Sequence, residues 1–339
     1  MKKTETVEKK ESMLKRIVSF IGGDKLVLMG ALVAVFVLFT SLNSNFMTWQ
    51  NISNLLVAAS LVGVVAVGHT YLIIAGQNDL SPGSLAAFSG VMVTLLLTKD
   101  VPMMIAIILT LCAGALVGVF NAWMVNKIKL EAFIATLVTQ SIVRGFAYII
   151  CDGKPVAVSN KAFIDLGTLR ILQLPVAVWL MIISFIVFGI ILAKTKFGRS
   201  VYAIGGSSEA ARLAGLNPKK IITICFILIA VLTSMGGIVF AARMNAGQPA
   251  ANVNLEFDAI TAVILGGVSF AGGVGSMGGT ILGVLLIQAF NTGLIMVNVP
   301  TFWQTVARGA LLLFALTFDY LRKEKRDKEL LAASMKNAE

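Results

Sequence analysis

The chain is a succession of apolar runs separated by short breaks. Ten runs are legible, at 26–42, 55–75, 83–98, 103–125, 132–150, 176–193, 221–242, 258–274, 277–297 and 302–319. A helix needs roughly 20 apolar residues to cross the hydrocarbon core of a bilayer, and inside lipid a segment must satisfy its own backbone hydrogen bonds. The pattern therefore predicts an all-α, polytopic membrane protein of about ten spans. The 83–98 run is short, and the 258–274 and 277–297 pair is interrupted by glycines. A re-entrant or broken helix is open at both places. Charged residues are 13% of the chain and hydrophobic ones 57%, against about 25% charge in a soluble domain, which argues against a cytosolic enzyme. Residues 1–25 and 320–339 read as basic tails flanking one membrane domain, 26–319.

Parity of the spans tests this reading. With the N-terminus inside, the inner segments are 1–25, 76–82, 126–131, 194–220, the turn near 275, and 320–339. They carry 7, 0, 2, 6, 0 and 6 Lys and Arg residues, 21 of the 28 in the chain. The outer segments carry only Lys99, Lys154, Lys161, Arg170 and Arg243. Positive charge favours the cytoplasmic side, so the asymmetry supports N-in, C-in. It also accounts for the net charge of +11 without a nucleic-acid partner. The 26–42 run is longer than a signal-peptide core and lacks a small-residue cleavage site, so it reads as an uncleaved first span. Spans two to five and seven to ten each make four crossings in opposite senses, the arrangement of an inverted repeat. The halves do not align by eye.

Chemistry-bearing patterns are few. The three cysteines form no CxxC pair, and the single histidine, His69, excludes a His-rich metal site. Gly273-Val274-Gly275-Ser276-Met277-Gly278 matches GxGxxG, but both flanks are apolar spans rather than a strand and a helix. It reads as a turn between tightly packed helices. Gly114/Gly118 and Gly279/Gly283 have the GxxxG spacing of close helix packing, expected within one subunit. No GxxxxGK[ST], HExxH or GxSxG occurs, so any ATP chemistry belongs to a partner. Ionisable residues in or beside spans are His69, Asp79, Arg144, Asp258 and Arg308, each a functional candidate by default. Asp258 fits the first turn of a helix, where the dipole favours a carboxylate. Thr136, Gln140 and Arg144 share one helix face.

The longest inner loop, 194–220, has helix signals of its own. Ser207 or Ser208 can cap a helix, Glu209 suits its first turn, Ala210, Ala211 and Ala214 favour helix, and Gly215 with Pro218 ends it. A short cytoplasmic helix of about two turns is expected. Glu209-Ala210-Ala211 followed by Gly215 resembles the coupling motif of ATP-binding-cassette (ABC) importer permeases. Gly76-Gln77-Asn78-Asp79-Leu80-Ser81-Pro82-Gly83-Ser84 resembles the GxxDLSxGS signature of the ribose/galactose/xylose-type sugar permeases. Phe197-Gly198-Arg199 with Ala203-Ile204-Gly205-Gly206, Ala132 to Leu137, Asp258-Ala259-Ile260, Leu265-Gly266-Gly267 and Gly272-Gly273-Val274-Gly275 are similar to further segments of that family. The resemblance runs from about residue 45 to 320. The chain departs from the family at Gln77-Asn78, where Gly-Ile is common, at Ser207, where Asn is common, and at Pro82. These departures bear on the solute more than on the class.

The resemblance implies a permease subunit in a bacterial inner membrane. It implies two copies forming the pore, cytoplasmic ATPase subunits that bind ATP and Mg, and an extracytoplasmic sugar-binding protein that delivers a monosaccharide. This chain itself would bind no cofactor. It assigns ATPase coupling to Glu209, Ala210, Ala211 and Gly215, with Arg212 and Arg199 as docking contacts. It makes Gln77, Asn78, Asp79, Ser81, Ser84 and Gln140 candidates for the path or gate, and no residue catalytic. Import of nucleosides, a signalling sugar or branched-chain amino acids keeps the same architecture. An ion-coupled secondary transporter would use discontinuous helices, but the coupling-type loop argues against it.

Overall fold

The computed structural model describes residues 23–336, so the N-terminal tail expected at 1–25 lies almost wholly outside the described residues. The described residues form thirteen α-helices, a 3-10 turn at Ser44–Met47, a π turn at Met124–Ile128 and four two-residue strands. Eight helices are long and apolar enough to cross a membrane. They are α1 (Gly23–Leu42), α2 (Trp49–Ile74), α4 (Met103–Trp123), α5 (Ala132–Ile149), α7 (Val176–Lys194), α10 (Pro218–Met244), α12 (Met277–Met296) and α13 (Thr301–Lys336). Two further helices occupy expected spans but are shorter: α3 (Pro82–Thr98), apolar and 17 residues long, and α11 (Leu255–Leu265), 11 residues long. The rest are α6 (Lys161–Thr168), α8 (Lys196–Gly206) and α9 (Ser208–Leu213). The strands are β1 (Val156–Ala157), β2 (Arg170–Ile171), β3 (Leu174–Pro175) and β4 (Ala246–Gly247), paired β1–β4 and β2–β3.

The expected span 258–274 is not one helix. It is the half-length α11 followed by a loop at 266–276 in which Gly267, Gly272, Gly273 and Gly275 take positive φ, a conformation open to glycine at little cost. At about 1.5 Å per residue, 11 residues cover only about half the hydrocarbon thickness. The last span is longer than expected, because α13 continues without a break through the basic tail to Lys336, where Leu, Lys, Arg, Glu and Ala all favour helix.

Local chemistry sets the other ends. Asn217 accepts from the Lys220 amide at 3.1 Å and Pro218 takes the first turn of α10, which stops at Asn245 in the left-handed region. α2 starts at Thr48, whose hydroxyl accepts from the Asn51 amide, and gives way to Gly76 at φ +75°. These two long helices form the centre of the bundle and run antiparallel, since Gly68 faces Ile229 while Leu61 faces Gly236. The GxxxG pairs pack within the chain. Gly114 and Gly118 of α4 lie on Ser234, Ala230 and Phe226 of α10, and Gly279 and Gly283 of α12 lie on Gly266 and Ala262 at the end of α11.

The inverted repeat becomes legible residue by residue once the helices are placed. α2 and α10 each run into Ala-Gly-Gln, at Ala75-Gly76-Gln77 and Ala246-Gly247-Gln248. A half-length or short helix follows each, α3 and α11. Next come the GxxxG helices α4 and α12, which carry Phe120-Asn121 and Phe290-Asn291. Last come α5, with Gln140-Ser141-Ile142-Val143-Arg144-Gly145, and α13, with Gln304-Thr305-Val306-Ala307-Arg308-Gly309. The packing follows the same correspondence: α4 on α10 and α12 on α2, α3 on α5 and α11 on α13.

The breaks group at two ends. One end joins Ile74 to Gly273, Asn126 to Lys219, and Phe270 to Asp319. The other joins Asn43 to Met296, β1 to β4, and Gly167 to Arg243. The first end holds the segments whose positive charge assigns them to the cytoplasm.

Candidate functional site

At the basic end, α8 and α9 form a helical elbow. The Ser207 hydroxyl accepts from the Ala210 amide at 3.2 Å and caps α9. Gly215, at φ +85°, turns the chain out of it. Within α9 the Arg212 guanidinium donates to both Glu209 carboxylate oxygens, at 2.5 and 3.2 Å. Both side chains are about two-thirds exposed, and the Glu209 carboxylate holds the Arg212 guanidinium above its ordinary pKa. Such an exposed pair contributes little to stability, so it presents charge rather than holding the fold. Ala210 is exposed and Ala211 packs inward. Leu213 is 77% exposed at the end of the helix. Beside it a cleft of about 770 Å³ is lined by Asn126, Lys129, Glu209, Arg212, Leu216 and Lys219.

The elbow is joined to the bundle by backbone. Gly205 of α8 packs directly on the Ile74 carbonyl and the Gly273 amide, which are themselves hydrogen-bonded at 2.8 Å. Gly272 approaches Gly205 and Gly76 in the same joint, and the Tyr202 hydroxyl donates to the Gly275 carbonyl at 2.9 Å. Ile74 precedes the break leading into α3, and Gly273 lies in the loop that leaves α11. One glycine of the elbow thus touches the connections of both short helices.

Those two helices begin at one polar seam inside the bundle. The segment 77–81 climbs along α4 and α5. The Leu80 amide donates to Thr136 at 2.9 Å, and the Asp79 carboxylate accepts from the Ser81 amide and hydroxyl at 2.8 and 2.6 Å. Asn121 donates to Ser81 at 3.2 Å. From the other side, the segment between β4 and α11 descends along α3, from Gly247 against Thr94 to Asn252 against Gly83. Arg144 holds it: its Nη1 donates to the Pro249 and Ala251 carbonyls, both at 2.7 Å, and its Nε donates to the Ser84 hydroxyl at 3.2 Å. Glu256, 1% exposed in the first turn of α11, accepts from Gln140 at 2.7 Å through Oε1. Its Oε2 lies against Gly83 in the first turn of α3. On the opposite side of the same turn, Asp258 lies 3.8 Å from Arg308, whose Nε donates to Asn291 at 3.3 Å.

A family model described as the permease component of the branched-chain amino acid transport system matches residues 51–316. The chain belongs to this permease family. Curated relatives cover nearly the whole permease. It is 38% identical to an L-arabinose ABC transporter permease protein of Azospirillum brasilense over 88% of each chain. It is 35% identical to a ribose import permease protein of Haemophilus influenzae, over 87% of this chain and 93% of the other. The figure for a ribose import permease protein of Bacillus subtilis is 36%, over 86% and 92%. No solved structure matches the permease.

The residues singled out in the permease sequence fall into four places. Glu209, Ala210, Ala211, Arg212 and Gly215 gather on or just after α9. Arg199 does not join them: it lies at the start of α8 and donates to the Lys194 carbonyl at 3.5 Å. Asp79, Ser81, Ser84 and Gln140 gather at the seam, whereas Gln77 and Asn78 lie below it, near the glycine joint. Asp79 and Ser81 are about 1% exposed and bonded to one another, which makes them the local lock of the turn before α3. His69 is fully buried, and both its ring nitrogens lack a partner among the described residues. Sequence reasoning missed Glu256, although an acid two residues before Asp258 at the start of an apolar run carried the same signal. It also missed α8 and the role of Gly205, because a close approach of two backbones leaves no trace in hydrophobic periodicity.

Proposed function

We propose that this permease is the membrane-spanning subunit of an ABC importer for a monosaccharide. The solute is delivered by an extracytoplasmic binding protein, and transport is driven by ATPase subunits docked on α9. Two copies of the chain form the translocation unit, and ATP and Mg reside on the partners. The observation that carries the reading is the α8–α9 elbow: an exposed, capped helix presenting Glu209, Arg212 and Leu213, tied through Gly205 to both short helices. The relatives bearing arabinose and ribose in their names make aldopentoses the first solutes to test. Movement of α9 as the ATPase pair closes would displace Ile74 and Gly273 together, and with them the connections of α3 and α11, whose far ends meet at the seam. Alternating access requires such a two-state element biased by the ATPase. The chain has no nucleotide-binding motif of its own, so the energy enters through that contact.

The matched family model is described by branched-chain amino acid transport, and this keeps a second cargo in view. The relatives named for L-arabinose and ribose favour the sugar.

The test is ATP-dependent uptake into proteoliposomes holding this chain, its ATPase and its binding protein, with labelled ribose, arabinose, galactose and leucine offered in turn. Uptake of a pentose that requires both partners is the expected result. Uptake by the chain alone under an ion gradient would overturn the reading, and uptake of leucine alone would replace the cargo.

A further inference from the structure

We infer that Glu256 and Arg144 are positioning residues of the transport gate, clasping the starts of the two short helices α3 and α11 to α5 in this state and letting go in the other. The inference rests on the importer reading above and deepens it. Three observations carry it.

First, Glu256 connects three elements with one carboxylate. It stands on α11, accepts from Gln140 of α5 at 2.7 Å, and lies against Gly83 in the first turn of α3. Any side chain at Gly83 would also strike the Asn252 carbonyl, at 2.5 Å, so the contact needs the glycine.

Second, Arg144, one turn beyond Gln140 on α5, is spent on holding backbone. Its Nη1 takes the Pro249 and Ala251 carbonyls at 2.7 Å, and these lie in the segment that leads into α11. A guanidinium that fixes two carbonyls of an irregular strap inside a membrane bundle positions that strap.

Third, the clasp is incomplete. Asn252 Nδ2, on the strap beside Gly83, is buried without a partner, a donor that closer approach or entering water would satisfy. A seam with unused bonding capacity has a second arrangement available to it. The second copy of the motif, Gln304 to Gly309, sets Arg308 against Asp258 on the other side of the same turn of α11. The start of α11 thus lies between two arginine-bearing helices.

The test uses the complete importer in proteoliposomes and reads sugar imported per ATP hydrolysed. Wild-type uptake is measured first; if it needs no ATPase, the importer reading fails and the inference falls with it. Glu256→Gln keeps a carbonyl to accept from Gln140 but puts an amide in place of the carboxylate oxygen that lies against Gly83. It is expected to lower sugar per ATP at least tenfold, while the half-saturating concentration of loaded binding protein stays within twofold. Glu256→Asp, which restores a carboxylate, recovers part of the loss. Gln140→Met removes the donor from a half-buried position on α5 and gives a separate reading if Glu256→Gln does not assemble; a fall of at least threefold is expected. Sugar per ATP within twofold of wild type in Glu256→Gln, or in Gln140→Met where Glu256→Gln fails to assemble, would overturn the inference. So would a loss that only parallels the amount of assembled complex.

Discussion

Gly205 sits on the carbonyl oxygen of Ile74 so closely that a Cβ at this position would overlap it, and the same Cβ would lie 2.6 Å from the amide nitrogen of Gly273. Gly206, the next residue, has nothing within 4 Å of its Cβ position. Adjacent glycines in one helix therefore make opposite predictions. Gly205→Ala forces α8 off the joint and is expected to reduce ATP-driven uptake at least tenfold. Gly206→Ala leaves uptake within twofold, since exposed glycine-to-alanine changes in helices cost nothing sterically and favour helix by about 1 kcal/mol. Equal effects of the two would remove the joint from the mechanism.

The proposed coupling surface is tested by its exposed leucine and its charge pair. Leu213→Asp removes the apolar contact that α9 offers at 77% exposure. Glu209→Arg breaks the bonds to Arg212 and sets two guanidiniums in one turn. Each is expected to weaken capture of the ATPase by the purified permease at least tenfold, about 1.4 kcal/mol, with unchanged thermal stability of the permease alone. A permease that holds its ATPase at wild-type affinity with both changes would place the docking site elsewhere.

Orientation is read by labelling. In a chain with Cys112, Cys151 and Cys225 replaced by alanine, Lys154→Cys lies in the segment between α5 and α6, and Ser208→Cys lies in α9. A membrane-impermeant maleimide added to intact cells, with the outer membrane permeabilised where there is one, is expected to label the first. It should reach the second only after the inner membrane is opened. The reverse pattern would invert the topology drawn from the charge asymmetry.

Helix packing gives a stability prediction. A Cβ at Gly118 would lie 2.6 Å from the Phe226 carbonyl and 2.9 Å from the Ala230 side chain, whereas the Cβ position of Gly30 is open. Gly118→Val separates α4 from α10 and is expected to lower the melting temperature of the detergent-solubilised permease by several degrees, the scale of an overpacking penalty of about 1–3 kcal/mol. Gly30→Ala leaves it unchanged within error. A Gly118→Val protein as stable as the wild type would show that this crossing tolerates separation.

Much of the molecule was legible because the bilayer imposes a coarse rule. Apolar length marked the helices, and the boundaries of α1, α4, α5 and α7 came out within a few residues. Caps were legible too, since Ser207 and Gly215 bound α9 through short-range hydrogen bonds written in adjacent residues. The span at 258–274 was legible only in part: its glycines left a broken helix open, and the positive φ values of Gly267, Gly272 and Gly273 fix where the chain turns. The repeat escaped alignment because its halves share only a few short segments, such as Gln140–Gly145 and Gln304–Gly309, and these differ in their distance from the helix starts.

The sequence alone determined that this protein is a helical membrane protein with one basic end and a short helix in its longest basic loop, because span length, charge asymmetry and capping are properties of neighbouring residues. The tertiary structure decided which residues share a site. Glu256 meets Gln140 across 116 positions of chain, Arg144 reaches carbonyls 105 and 107 positions away, and Gly205 meets Ile74 backbone to backbone. Such contacts depend on how two short helices begin inside a bundle, and the packing of all the other helices fixes that geometry.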